Sequence, residues 1–159
     1  MDIDALLAEV IAQAKAIKIP VSDKIAPNIK INTRAKTRFG CCKKTAHGYT
    51  VELCERVLQA GETACREIIA HELLHTCYNC LNHGKNWHKY ADKMNKAYGY
   101  SIKSTHKSEE LGVESDYNAK YVLICQSCGA EIKRMKMSRL IKYYRSYRCK
   151  CGGELKLIK

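Results

Sequence analysis

The run His71-Glu72-Leu73-Leu74-His75 holds three residues whose types and spacing can do chemistry together. Residues i and i+4 share one face of a helix, so both imidazoles can reach a single ion. Zinc bound this way keeps a coordination position open for water. Glu72, beside the first histidine, can take a proton from that water. Ile68, Ile69, Leu73 and Leu74 make the surrounding helix apolar enough to be buried. The chain has only six histidines, so an accidental pattern of this kind is a poor explanation.

Two imidazoles need a third ligand. Tyr78 and Leu81 stand where a longer histidine motif would place glycine and histidine, and no glutamate occurs between Glu72 and Glu109. His83, His88 and Asp92 remain. Gly84 gives the chain freedom to bend, which favours His83. His88, one turn further on, reads as a solvated helix residue.

A second constellation is Cys125-x2-Cys128 with Cys149-x-Cys151. Two thiolate pairs on facing knuckles make a closed tetrahedral zinc site, with Gly129 and Gly152-Gly153 supplying tight turns. Such a zinc would be structural and would supply folding energy to a module of some 40 residues. Between the knuckles lie Lys133, Arg134, Lys136, Arg139, Lys142, Tyr143, Tyr144, Arg145, Tyr147 and Arg148. The cations suit phosphates, and the tyrosines can stack on unpaired bases. Residues 120–159 hold eleven Lys and Arg against Glu131 and Glu154, so +9 of the chain's +12 charge lies there. Nothing in the stretch reads a base sequence. The basic run at 30–44 could extend the footprint.

The positioning elements follow from periodicity. Ile3, Leu6, Leu7, Val10, Ile11 and Ala14 predict an amphipathic helix over 3–17. Ile29 and Ile31 alternate with polar residues, as do Tyr49, Val51 and Leu53, predicting two strands. Thr63 is the expected cap of a helix from about 64 to 77. Another helix is expected over Lys85–Tyr98, stopped by Gly99, with Ile102 opening a short strand. Residues 104–119 read as a polar linker. Cys41, Cys42, Cys54 and Cys65 read as small buried residues. Cys77-x2-Cys80 could approach the metal or form a redox pair, but a structural role is the better reading.

The run HELLHTCYNCLNHGKNWHKYADKMN resembles the SprT-like, or Spartan-type, family. That family follows HExxH with a later His-Gly, an aromatic residue three positions on and a helix ending near Asn. Here these are His71, Glu72, His75, His83, Gly84, Trp87 and Asn95. INTRAKTRFGCC looks like the family's strand leading to a glycine turn. The resemblance, taken to include the ribbon, implies a zincin-like metallopeptidase domain. It makes His71, His75 and His83 the ligands and Glu72 the general base, with action on proteins associated with DNA.

Composition bounds the rest. The 159 residues are 46% apolar and 28% charged, ordinary for a folded domain and unlike a disordered chain. No run of about 18 apolar residues predicts a membrane span. Met1-Asp2-Ile3-Asp4 is acidic where a signal peptide is basic, so a cytoplasmic location is expected (nucleoid-associated, or nuclear in a eukaryote). In that compartment ten cysteines point to metal rather than disulfides. The expectation is an α+β zincin-like domain at 1–112, then a linker and basic zinc ribbon at 113–159. It would bind two zinc ions, one catalytic and one structural, and cleave proteins bound or crosslinked to DNA, single-stranded or structured. The alternative is a non-catalytic zinc protein that binds nucleic acid.

Overall fold

Helix α1 (Ile3–Ala16) begins where the Asp2 carboxylate accepts the amides of Asp4 and Ala5, satisfying two orphan donors of the first turn. Its Leu7, Val10 and Ala14 are fully buried. Asp4 then reaches forward: it accepts the side-chain amide of Asn28 and the backbone amide of Ile29, each at 2.8 Å. That tether sets the start of β1 (Lys30–Asn32). In this computed structural model residues 1–35, 38–107, 109–112 and 119–159 are described. Lys36 of the basic run, and residues 108 and 113–118 of the expected linker, lie outside them.

Strands β2 (Gly40–Thr45) and β3 (Gly48–Cys54) form an antiparallel hairpin with Gly40 opposite Leu53. β1 joins the other side of β3 in parallel, giving a mixed sheet of order β1-β3-β2. Strand β3 runs straight into a short helix, α2 (Glu55–Gln59), absent from the sequence expectation. Helix α3 (Glu62–Leu74) follows. Gly61, at φ 95°, is its N-cap, and Thr63 lies inside the helix rather than capping it. Ala64, Cys65, Ile68, Ile69, Leu73 and Leu74 are buried, so α3 is the central helix of the domain. It stops three residues earlier than expected, because the Thr76 hydroxyl donates to the Leu73 carbonyl at 2.7 Å and closes the last turn.

Helix α4 (Lys85–Tyr98) has the expected bounds, and Gly99 ends it in the left-handed conformation at φ 71°. Trp87, Ala91 and Met94 pack inward. The Tyr98 hydroxyl donates to the Gln13 carbonyl at 2.9 Å, tying α4 to α1. Ile102 is buried but opens no strand: the Asn95 side chain takes both of its backbone groups. A 3-10 turn at Glu109–Leu111 follows, and Leu111 belongs to the same core. Part of the expected linker is thus packed structure.

The chain divides into two compact units, Met1–Ser115 and Asp116–Lys159. The second holds a three-stranded antiparallel sheet of β4 (Tyr121–Cys125), β5 (Glu131–Arg134) and β6 (Leu155–Leu157), in the order β5-β4-β6. A one-turn helix α5 (Arg139–Lys142) is capped by Ser138. Its core is small: Leu123, Cys125, Ile141 and Leu155. Among the described residues no helix is long and apolar enough to cross a membrane.

Candidate metal centre and active-site cleft

Helical spacing stacks His71 and His75 one turn apart at the C-terminal end of α3. The loop after α3 returns His83 to them. The Nε2 atom of His71 lies 3.3 Å from that of His75 and 3.0 Å from that of His83. The Nδ1–H of His71 donates to the Lys103 carbonyl at 2.8 Å, and that of His75 to the Cys80 carbonyl at 2.6 Å. A carbonyl only accepts, so Nδ1 carries the proton in both rings and each Nε2 is a bare lone pair. The bare Nε2 lone pairs of His71 and His75, 3.3 Å apart, repel unless a cation lies between them. Burial pushes His71 down to about 3, and the neighbouring His75 and His83 act in the same direction, so the His71 Nε2 itself carries no proton. His71, His75 and His83 could therefore hold a metal ion, their ligand atoms lying within 4.8 Å of one another.

Trp87 forms the floor. It is fully buried, with its ring 4.8 Å from that of His71 and 4.6 Å from that of His83. The bulk of the indole limits where the three rings can go. Gly84 does not act as its sequence suggested. Its φ is −80°, open to any residue, and a Cβ there would meet only the Asn82 side chain, at 3.4 Å. The loop, held by the Cys80 carbonyl, delivers His83. His88 is exposed against the edge of Trp87 and, like Asp92, stands outside the cluster. Both line a groove that leads from His83 along the lysine face of α4.

Glu72 sits in a cleft of about 250 Å³ shared with His71, Arg38, Gly40, Thr105 and His106. Burial pushes its carboxyl up to about 7, opposed by the Cys42 backbone amide that it accepts and by the charge of Arg38. A carboxylate poised near neutrality suits a general base. Strand β2 passes close enough that a Cβ on Gly40 would lie 2.7 Å from Glu72 Oε1 and from Ile68 Cγ2. Glycine at position 40 is what lets strand β2 and the Glu72 carboxylate coexist.

The sequence reading missed His106, which shares this cleft, and the Lys103 carbonyl behind His71. The only signal was a histidine in a segment read as linker. Tyr90 packs against the core, and the Tyr100 hydroxyl donates to the Gln13 side chain; neither lines the Glu72 cleft. Cys77 and Cys80 are buried in the core and stand outside the imidazole cluster. Cys54 and Cys65 are buried as expected, whereas Cys41 and Cys42 on β2 are only half-buried.

In the second unit Cys125, Cys128, Cys149 and Cys151 form a group that could also hold a metal ion. Sγ of Cys125 lies 3.5 Å from that of Cys151, and Cys128 lies 3.6 Å from Cys149. The backbone amides of Cys128 and Ser127 hold the Cys125 thiol down to about 6, which favours the thiolate. The short Cys-x-Cys knuckle fits because Gly152 takes φ 85° and Gly153 leaves room: a Cβ there would lie 2.7 Å from Cys125 Sγ.

The ten basic and aromatic residues named between the knuckles fall on one unit but not in one role. Lys133 pairs with Glu131 at 2.9 Å and Arg148 with Glu154 at 3.3 Å. Arg134, Lys136, Arg139, Lys142 and Arg145 are exposed with no acidic partner among the described residues. Tyr143 and Tyr147 are 49% and 38% exposed, while Tyr144 packs against the small core. In the first unit Lys43 and Arg38 of the basic run are engaged by Glu52.

A family model described as SprT-like family matches residues 9–106. The matched span contains His71, Glu72, His75 and His83 and ends on His106; the four-cysteine unit lies beyond it. No curated protein matches the chain.

Proposed function

The chain belongs to the SprT-like family, and on that premise we propose that it is a zinc-dependent endopeptidase of zincin-like fold whose substrates are proteins bound or crosslinked to DNA. The observation that carries the reading is the joint placement of three convergent imidazoles and a buried, neutral-poised carboxylate at one cleft. Zinc held by His71, His75 and His83 would supply Lewis-acid polarisation of the scissile carbonyl and lower the pKa of water in the cleft. Glu72 takes the proton from that water as it attacks the carbonyl carbon, then passes it to the leaving amine nitrogen. Trp87 keeps the three rings fixed during turnover. The Lys103 and Cys80 carbonyls hold the tautomer that leaves each Nε2 free.

A second zinc in the four-cysteine unit would be closed and structural. The unpaired cations of that unit and the exposed Tyr143 and Tyr147 support binding of a DNA strand without sequence preference. A cytoplasmic or nuclear compartment, where ten cysteines stay reduced, fits this chemistry.

The test is incubation of the zinc-loaded protein with casein, with and without single-stranded DNA, beside Glu72→Gln. The substitution keeps the shape of the side chain and removes the base. Cleavage by the wild type and none by the variant, at equal zinc content, is the expected result. Equal cleavage by both would remove Glu72 from the mechanism. No cleavage by either, with DNA still bound, would favour a non-catalytic zinc protein.

A further inference from the structure

Helix α4 has two faces of opposite character. Trp87, Ala91 and Met94 are buried on one of them. Lys85, Lys89, Lys93 and Lys96 follow one another at helical spacing on the other. At about 100° per residue they fall within about 80° of arc, and at about 1.5 Å per residue the row is about 16 Å long. All four are exposed.

Like charges three and four residues apart repel one another on a helix surface. The fold does little to relieve them. Ion pairs among the described residues engage Lys15, Lys43, Lys103 and Lys133, and none of these four. Lys93 donates to the Ile17 carbonyl at 3.3 Å. Asp92 is the one acid of the groove that the row lines, against four lysines. That groove has a volume of about 700 Å³ and reaches His83 at the start of the helix.

The lining decides what fits. His83, Gly84 and His88 complete it, so no large exposed apolar side chain stands there. The exposed pair Tyr78 and Leu81 lines a different hollow. A protein partner is gripped by apolar and aromatic anchors at the centre of its interface, and this groove offers none. It offers flexible ammonium groups, each a point charge with three donors, in a row that matches a chain of phosphodiesters. We propose that the lysine row of α4 binds the phosphate backbone of a single DNA strand, as a contact of the first unit separate from the basic residues of the four-cysteine unit. The identity of the polyanion rests on the DNA reading above; the row of unpaired charge does not. One row of cations follows one backbone, so a single strand suffices. Contacts to phosphates position a strand without reading its sequence. Because the row begins two residues after His83, the bound strand is led to the edge of the imidazole cluster, and a protein joined to it is presented there.

The test uses the full-length zinc-loaded protein and a fluorescent thymidine oligonucleotide, with affinity read by anisotropy over a range of salt. The triple variant Lys85→Gln, Lys89→Gln, Lys96→Gln leaves Lys93 in place, because its bond to Ile17 ties α4 to the end of α1. It should bind at least about tenfold more weakly at low salt, and its slope of log K against log salt should shrink by about 2, at about 0.7 per lost phosphate contact on a single strand. Zinc content and melting temperature should match wild type. The triple Lys85→Arg, Lys89→Arg, Lys96→Arg, which keeps the charge, should bind like wild type. An oligonucleotide carrying an abasic aldehyde, reduced with cyanoborohydride, traps amines at the bound strand, and peptides with Lys85, Lys89 or Lys96 should be recovered as adducts. An unchanged slope in the Gln triple overturns the proposal, as does a lack of α4 adducts. Equal competition by poly-glutamate of matched charge also overturns it and assigns the row to an acidic protein. A wild type that binds no oligonucleotide removes this contact and the DNA reading together. None of these readouts needs hydrolysis, so a chain that binds through α4 and cuts nothing refutes the peptidase reading alone.

Discussion

At the scale of single residues, the three imidazoles differ in what holds them. His71 and His75 are aimed by one helix and by carbonyl partners at Nδ1, so two points fix each ring. His83 arrives on a loop and is exposed, held by its neighbours at the cluster. We expect His83→Ala to lower bound zinc from two ions per chain to one, measured by elemental analysis, and His88→Ala to leave it at two. The reverse pattern would reassign the third ligand. The tyrosines of the second unit separate in the same way. Tyr143→Ala should weaken binding to single-stranded DNA by about 1–3 kcal/mol if its exposed ring stacks on a base. Tyr144→Ala should instead lower the stability of the unit, since its ring packs against the small core of Leu123, Cys125, Ile141 and Leu155. Fluorescence anisotropy and thermal melting, run on both variants, distinguish the two effects.

Between elements, one strand and one helix share very little space. Gly40 of β2 lies against Glu72 and Ile68 of α3 with no room for a methyl group. Gly40→Ala should therefore cost about 1–3 kcal/mol of stability and lower hydrolysis by at least about tenfold, because the easiest relief is displacement of the Glu72 carboxylate. A variant that melts lower yet cuts at the wild-type rate would show that Ile68 gives way instead. Glu52 of β3 links the sheet to its surroundings: it accepts from Lys43 on β2, Asn32 at the end of β1 and Arg38 in the loop between them. Lys43 is the largest of the influences that hold its carboxyl below 4.5, with Asn32 and Arg38 adding to it. A depressed carboxylate contributes stability above its unfolded value and loses it as pH falls through the folded one. Glu52→Gln should cost about 1–3 kcal/mol at pH 7, with the difference from wild type shrinking as urea melts are taken into the acid range below pH 4.5.

For the whole molecule, the two units have separate cores and separate candidate metal groups. Removal of residues 120–159 should leave the first unit folded with one zinc, because its helices, sheet and three histidines all lie upstream. Affinity for single-stranded DNA should fall sharply in the truncated protein. In the intact protein it should fall steeply with rising salt, as neutralised phosphates take back their counterions. If the truncated protein binds as tightly as the full chain, the nucleic-acid surface lies on the first unit, where Lys30–Lys44 and the lysine face of α4 are the remaining basic stretches.

The sequence by itself determined the features whose geometry is local. A helix turns every 3.6 residues, so His71 and His75 had to share a face. A glycine in the left-handed conformation had to end α4. Paired cysteines three and two residues apart, with glycines beside them, had to form knuckles. The mixed sheet, the contact of Gly40 with Glu72 and the Lys103 carbonyl behind His71 depend on segments far apart in the chain; His71 and Lys103 are separated by 32 residues. No local periodicity reports such distances. Gly84 shows the converse: its freedom was legible, but the tertiary packing of the loop made it unnecessary. His106 is the sharpest case. Along the chain it is one histidine in a polar stretch, and only the folding of that stretch back across α3 brings it to the cleft that Glu72 also lines.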